Sequence, residues 1–547
     1  MGILEKTVGQ IVREQAALHP ETEAYVYPEH RIRKTYREFD QETDRLAKAF
    51  IGIGIEKGEH IAIWSDNKRE WLLSQYATGK MGGVLVTVNT SYQASELEYL
   101  LKQSDATTLI LGEEFKSSNY IEILNTVCPE LNAAEKGNLS SSKLPHFKRV
   151  IVMSENQHPG IYTWSEFEAF ADGVGDEELE SRFDSMEPDD VINIQYTSGT
   201  TGFPKGVMLT HLNVVNNGKL VGDTMNLTEN DRLCIPVPFF HCFGCVLGTM
   251  AAVTHSTTMV IAEQFEPRRV LQMVQDEKCT ALHGVPTMFI AELNHPDFKS
   301  FDTSTLRTGI MAGSPCPIEV MKKVISEMGA SEITIAYGQT ESSPVITQTR
   351  ADDDIEKRVA TVGKPHAEVE VKIVDSVTNE EVAIGMPGEL CTRGYHIMKG
   401  YYQNEEATKQ AIDQDGWLHT GDIAVEDEDG YIAVTGRIKD MVIRGGENIY
   451  PREIEEFLYQ HPSVQDVQVV GVPDPKYGEE LMAWVILKDG EQMRTDELRD
   501  YCKGKISHHK IPRYIEFIKE YPMTASGKIQ KFKLRELAIE RSQQMEI

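Results

Sequence analysis

The sequence predicts an α/β protein in several parts: a large N-terminal domain of helix-covered sheets, a β-rich subdomain within it, and a small C-terminal α+β domain. Three observations carry that expectation. From residue 7 to about 190, short β-rich runs alternate with amphipathic helical runs, the pattern of a largely parallel sheet clothed in helices. Residues 363–435 are dense in β-branched strands and Gly/Pro turns. At 547 residues the chain is also too long for one hydrophobic core, and two to four domains are expected.

Composition excludes several function classes. The chain is 40% apolar and 26% charged, as soluble globular proteins are. With 55 basic against 85 acidic residues its formal charge is −30, which repels nucleic acid and anionic membranes. Any phosphate must therefore be gripped locally. No apolar run approaches the roughly 18–20 residues of a membrane span; Gly244–Val253 is the nearest. The N-terminus lacks an apolar signal core and an arginine-rich presequence, and Lys6 stands where a myristoylation motif on Gly2 wants Ser/Thr. A cytoplasmic protein is expected. Eight cysteines do not make a disulfide framework at this length. Cys242-Phe-Gly-Cys245 sits in an apolar stretch and reads as buried thiols.

In chain order, Thr35–Glu38 and Ser95–Glu98 read as capping boxes opening helices, between strands at Glu23–Tyr27, His60–Ser65, Val84–Asn89 and Thr107–Gly112. Gly52–Gly58 has the wrong spacing and position for a dinucleotide fingerprint. Residues 131–147 read as a surface loop.

The strand-like run Val191–Tyr196 then leads into Thr197-Ser198-Gly199-Thr200-Thr201-Gly202-Phe-Pro-Lys205-Gly206. Glycines allow a tight turn whose N–H groups approach an anion, hydroxyls donate to phosphate oxygens, and lysine adds charge. Gly206 after Lys205 breaks the Walker pattern, which excludes a P-loop kinase. The order resembles the signature loop of the adenylate-forming superfamily: acyl-CoA synthetases, luciferases and peptide-synthetase adenylation domains.

Later segments extend the resemblance in the same order. Pro236-Val-Pro-Phe-Phe240-His241-Cys-Phe-Gly is aromatic and Gly-broken; alone, His241 would read as a satisfied core histidine, whereas the family's matching stretch borders the acyl pocket. Leu282–Phe289, with Val285, fits a strand end entering a helix, a usual pocket wall. Gly309–Pro315, with Gly313 and Ser314, and Ile333–Glu341, with Tyr337, Gly338, Thr340 and Glu341, are two more strand-to-turn segments. The second suits adenine stacking on Tyr337 and Mg²⁺ on Glu341. Trp417–Asp422 sets a carboxylate just after a glycine turn, as the family's ribose-binding aspartate is set, and Arg437 can reach the same ribose. Lys439 occupies the family's hinge, Gly445, Gly446 and Glu447 offer close approach to CoA, and Pro522–Lys528 resembles the closing motif whose lysine serves adenylation. From Lys503 to Arg535, nine Lys/Arg face two Glu; the default reading is a solvated face, the alternative a contact for CoA phosphates.

What the resemblance implies is a carboxylate–CoA ligase using ATP, CoA and Mg²⁺, most like the medium-chain acyl-CoA synthetase branch. Its division would be residues 1–435, a hinge at 436–440, and a mobile C-terminal domain at 441–547. Competing expectations are an aryl- or other-acid ligase, a stand-alone amino-acid adenylating enzyme, a luciferase-like oxygenase and a non-catalytic nucleotide binder. The amino-acid enzyme would place an aspartate near residue 240, where this chain has His241. The nucleotide binder would have lost Glu341 or Lys528, and both are present.

Overall fold

The computed structural model describes residues 2–197, 204–445, 447–524 and 527–545. Its α/β class is the one expected. A nine-stranded sheet and a seven-stranded sheet, both clothed in helices, make the bulk of the chain. A four-stranded antiparallel sheet and a five-stranded sheet follow in sequence.

The nine-stranded sheet positions the site. At its centre the strands Thr258–Ile261, Arg232–Ile235, Ala281–Gly284, Thr308–Ala312 and Thr334–Gly338 lie side by side and parallel. They are buried on both faces, which explains their continuous apolar runs. Open sheets of this kind bind ligands beyond the carboxyl ends of their strands. Here those ends open onto the His241, Val285, Gly313 and Glu341 segments.

The seven-stranded sheet contains the hairpin Val191–Thr197 and Lys205–Thr210, antiparallel with Lys205 opposite Thr197. The signature loop therefore tips a β-hairpin and does not open a helix. Ser198, Gly199, Thr200, Thr201 and Gly202 lie outside the described residues, as does Gly446. In the four-stranded sheet, Ile432–Arg437 carries the last strand past residue 435, and the five-stranded sheet begins at Val442.

Several local expectations are corrected. The helix Ala94–Gln103 is capped by Gln93 with Glu96, two residues before Ser95–Glu98, because Ser95 is already helical. Thr35–Glu38 is a capping box as expected. Residues 131–147 are not all surface loop: a 3₁₀ turn covers Pro129–Ala133, and Leu139, Leu144 and Phe147 are buried. Phe243–Met250 winds as a π-helix, a form frequent at functional sites. Gly244 permits it, since a Cβ there would lie 2.2 Å from the Pro238 carbonyl oxygen.

Candidate active site

Four sequence-predicted groups meet in one crevice over the strand ends. His241 follows Arg232–Ile235, and its neighbour Cys242 lies with Sγ 3.8 Å from Thr340 Oγ1. Lys528 arrives from the C-terminal module with Nζ 3.3 Å from His241 Nε2. Gly313 makes room for it: the glycine has φ +92, and a Cβ would stand 3.1 Å from Lys528 Cε and 3.2 Å from Val285 Cγ1. The Thr287 hydroxyl donates to the Gly527 carbonyl (2.9 Å), tying the lysine turn to the helix that follows Val285. Phe240 and Val285 are buried, and Val285 packs against Gly313 and Gly527 beside this contact.

The protons on this contact can be assigned. The Phe243 N–H points at His241 Nδ1 (3.3 Å), and a backbone N–H can only donate. Nδ1 is therefore the acceptor, and the neutral ring carries its proton on Nε2, facing Lys528. Burial holds His241 far below the usual imidazole range, with the Lys528 charge adding to it. Burial likewise lowers the Lys528 ammonium from its ordinary value. Two donors thus stand side by side at 3.3 Å, an arrangement completed by an anion whose oxygen accepts from both.

A second corner gathers Tyr337, Asp422 and Arg437. The Tyr337 hydroxyl donates to Asp422 Oδ2 (2.7 Å), and Arg437 Nε lies 3.1 Å from Oδ1. Asp422 directly follows a glycine, Gly421, as expected, and both lie inside the strand Leu418–Glu426. Glu389 pairs with Ile423 and Cys391 with His419, so Thr420–Asp422 bulge out, with Gly421 at φ +72. Bulges re-aim side chains beside active sites, and this one turns Asp422 toward Tyr337. Burial raises the Asp422 carboxyl while Arg437 and Tyr337 pull it back.

The third corner contains a residue that sequence reasoning missed. The Tyr401 hydroxyl donates to Glu341 Oε1 (2.8 Å), and Lys205 Nζ sits 4.1 Å over the Tyr401 ring. The signal was the Gly400-Tyr401 pair, which adds a strand beside Lys205–Thr210. Among the described residues, Glu341 Oε2 makes no hydrogen bond. An oxygen-only set of carboxylate and nearby hydroxyls suits Mg²⁺, which takes oxygen ligands and keeps its waters.

Other predicted residues fall elsewhere. Gly338 shapes its turn, since a Cβ would collide with the Pro344 carbonyl oxygen at 1.7 Å. Ser314 follows Gly313 at the crevice rim. Lys439 stands in the turn after Ile432–Arg437. Gly445 donates its N–H to the Tyr477 carbonyl (2.8 Å), and Glu447 is exposed on the facing strand. The basic segment is largely answered internally: Lys503, Lys510, Arg513, Lys531 and Arg535 pair with Asp500, Glu453, Asp474, Glu455 and Glu479.

Residues 12–402 match the family model for the AMP-binding enzyme, and residues 453–528 match that for the AMP-binding enzyme C-terminal domain. The chain belongs to the AMP-binding enzyme family. This AMP-binding enzyme is 60% identical to YngI of Bacillus subtilis, an acyl-CoA synthetase by assignment only, over 98% of each chain. It is 43% identical to the mitochondrial medium-chain acyl-CoA ligase ACSF2 of Danio rerio, over 97% of this chain and 88% of that one. Among solved structures it superposes on the anthranilate CoA ligase AuaEII in complex with anthranoyl-AMP, with a TM-score of 0.88, 27% identity and 98% of each chain covered.

Proposed function

We propose that this AMP-binding enzyme is an AMP-forming carboxylate–CoA ligase acting on a fatty acid, with medium-length acids preferred. The observation that carries the reading is the pair of converging donors, Lys528 Nζ and His241 Nε2–H, at the mouth of an apolar crevice. A carboxylate needs such a pair, and an alkyl tail needs the buried Phe240 and Val285 behind it.

In the first half-reaction a carboxylate oxygen attacks the α-phosphorus of ATP and pyrophosphate leaves. Both reactants are anions, so the barrier is largely electrostatic. Lys528 stabilises the charge that builds between them, and His241 orients the carboxylate. Tyr337, Asp422 and Arg437 hold the nucleoside, with Asp422 accepting from the ribose hydroxyls. Residues 197–205 and Lys205 receive the departing phosphates. Mg²⁺, held by Glu341 beside Thr340, would supply charge neutralisation to the β- and γ-phosphates.

In the second half-reaction the CoA sulfur attacks the acyl carbonyl and AMP leaves. Lys528 has no role there. The division at residues 436–440 and the pivot at Lys439 belong to this reading: rotation of residues 441–547 would withdraw Lys528 and present Gly445, Gly446 and Glu447 to the thiol. A cytoplasmic compartment fits eight buried free cysteines.

The test is carboxylate-dependent AMP release with ATP, Mg²⁺ and CoA, across straight-chain acids from acetate to palmitate plus benzoate and coumarate. Each methylene that the crevice buries is worth about 0.8 kcal/mol, so kcat/KM should climb roughly fourfold per carbon to a medium-length maximum. A maximum at benzoate or coumarate would turn the reading to an aryl-acid ligase, and background everywhere would remove it.

A further inference from the structure

Next to the Asp422 bulge, in the register pairs on either side of it, lies a cluster that the ligase reaction does not use. Glu389 and Cys391 are two residues apart on the strand Gly388–Gly394 and so share a face. His419, on the neighbouring antiparallel strand, is the register partner of Cys391. His419 Nδ1 lies 3.0 Å from Glu389 Oε2 and 3.4 Å from Cys391 Sγ. Its other nitrogen, Nε2, faces Asp413 Oδ2 at 3.7 Å.

These spacings lie within a few tenths of an ångström to about 1 Å of what a bound cation needs. Zn–S bonds of about 2.3 Å and Zn–N or Zn–O bonds of about 2.0 Å put the edges of a tetrahedron at roughly 3.3–3.7 Å. The three ligand atoms lie within 4.8 Å of one another. The set is thiol, imidazole and carboxylate, which selects zinc-like over magnesium-like ions. It also has the supporting partners such sites need: Asp413 stands behind the far nitrogen of His419, and Asp413 Oδ1 is itself fixed by the Trp417 N–H (2.9 Å). Cys391 is buried and Glu389 half-buried, while the ring edge of His419, about a quarter exposed, gives access.

We propose that Glu389, Cys391 and His419 bind one thiophilic divalent cation of the Zn²⁺ class, with Asp413 orienting the histidine. Binding displaces the Cys391 thiol proton and the proton shared by His419 and Glu389, and both leave to solvent. The site touches the nucleotide corner through one carboxylate. Glu389 Oε1 accepts the Gly421 N–H (3.0 Å) inside the bulge that aims Asp422. A cation that draws on Glu389 loosens that bond, so occupancy weakens ATP binding.

The test uses the full chain stripped with chelator and titrated with Zn²⁺ against a chromophoric competitor, then with Co²⁺ read by absorbance. The expected result is one tight ion per chain, with a thiolate-to-cobalt charge-transfer band that Cys391→Ser abolishes. Asp413→Asn should weaken Zn²⁺ roughly 10- to 100-fold. His419→Ala, on a partly exposed ring, should lose the ion even if Cys391→Ser proves poorly folded by circular dichroism. Equal Zn²⁺ affinity in wild type and His419→Ala, or no charge-transfer band, would overturn the site. Tight binding with no rise in the KM for ATP would overturn the coupling. Neither result touches the ligase reading, which is assayed in Mg²⁺ with zinc chelated.

Discussion

The ribose corner and the lysine corner of the crevice are built by opposite means. Tyr337, Asp422 and Arg437 all stand on strands, two of them on adjacent strands of one antiparallel sheet where Asp422 pairs directly with Arg437. Their geometry is fixed by backbone ladders. Lys528 stands on a turn of the C-terminal module, near the isolated bridge between Met523 and Ile529. It is held in the crevice by a short set of contacts: His241, Gly313 and the Thr287–Gly527 bond. The difference teaches how a two-step enzyme divides its residues. On the proposed reaction, the groups that serve both steps are set into sheets, and the group that serves one is set on a turn that, among the described residues, few bonds tie to the rest of the crevice.

That contrast fails first, if it fails, at Lys528. Lys528→Ala should lower acid-dependent pyrophosphate release at least ~100-fold, the scale of removing one donor from a developing anion. Thioester formation from supplied acyl-adenylate should change little. Equal loss in both half-reactions would mean that the lysine stays in place throughout. Asp422→Ala should behave oppositely and strike both half-reactions, because the nucleotide is held in each. Hydrogen bonds to a charged group are worth about 1.5–3 kcal/mol, which is roughly 10- to 100-fold in kcat/KM for ATP.

The pH dependence sharpens the same comparison. Burial lowers the Lys528 ammonium below 10.5 in the docked state. A depressed lysine binds fewer protons docked than free, so alkaline pH favours docking while neutralising the charge that the reaction needs. Adenylation should fall on an alkaline limb below pH 10.5, about tenfold per unit once past the lowered value. The second half-reaction should lack that limb, and Lys528→Arg should carry it beyond reach, since guanidinium does not deprotonate.

The strand-end segments were legible because each joins an apolar run to a turn residue: His241 and Gly313 stand beside Lys528, while Glu341 stands at the neighbouring corner with Tyr401. The ribose aspartate was legible as a residue but not as a geometry, because a bulge in Leu418–Glu426 is a property of register between two strands. What the sequence did not show in the basic segment is its pairing. Its acidic partners, Glu453, Glu455, Asp474, Glu479 and Asp500, come mostly from other elements of the module. Net charge along a chain does not reveal such pairing. Tyr401 was invisible because its partners, Glu341 and Lys205, are brought to it by backbone pairing: Gly400 and Tyr401 pair with Met208 and Val207, and Met398 N–H donates to the Glu341 carbonyl (2.9 Å).

Tyr401 also yields the smallest effect, and it tests which corner the phosphate end resembles. Its ring lies under Lys205 and its hydroxyl on Glu341, both on strand-borne or strand-end positions. If this end is built like the ribose corner, Tyr401→Phe should keep the ring under the lysine and lose only the hydroxyl. One hydrogen bond to a carboxylate, at the lower end of about 1.5–3 kcal/mol because the freed Glu341 oxygen is only half-buried, is then roughly 10-fold in kcat/KM for ATP. The Mg²⁺ concentration giving half-maximal rate should move with it, because freeing Glu341 Oε1 changes the carboxylate that the ion meets. Tyr401→Ala should cost more, since Lys205 then loses its ring as well. Phe and Ala variants that fall equally would mean that the hydroxyl alone matters, and that the lysine is positioned by the loop it begins in.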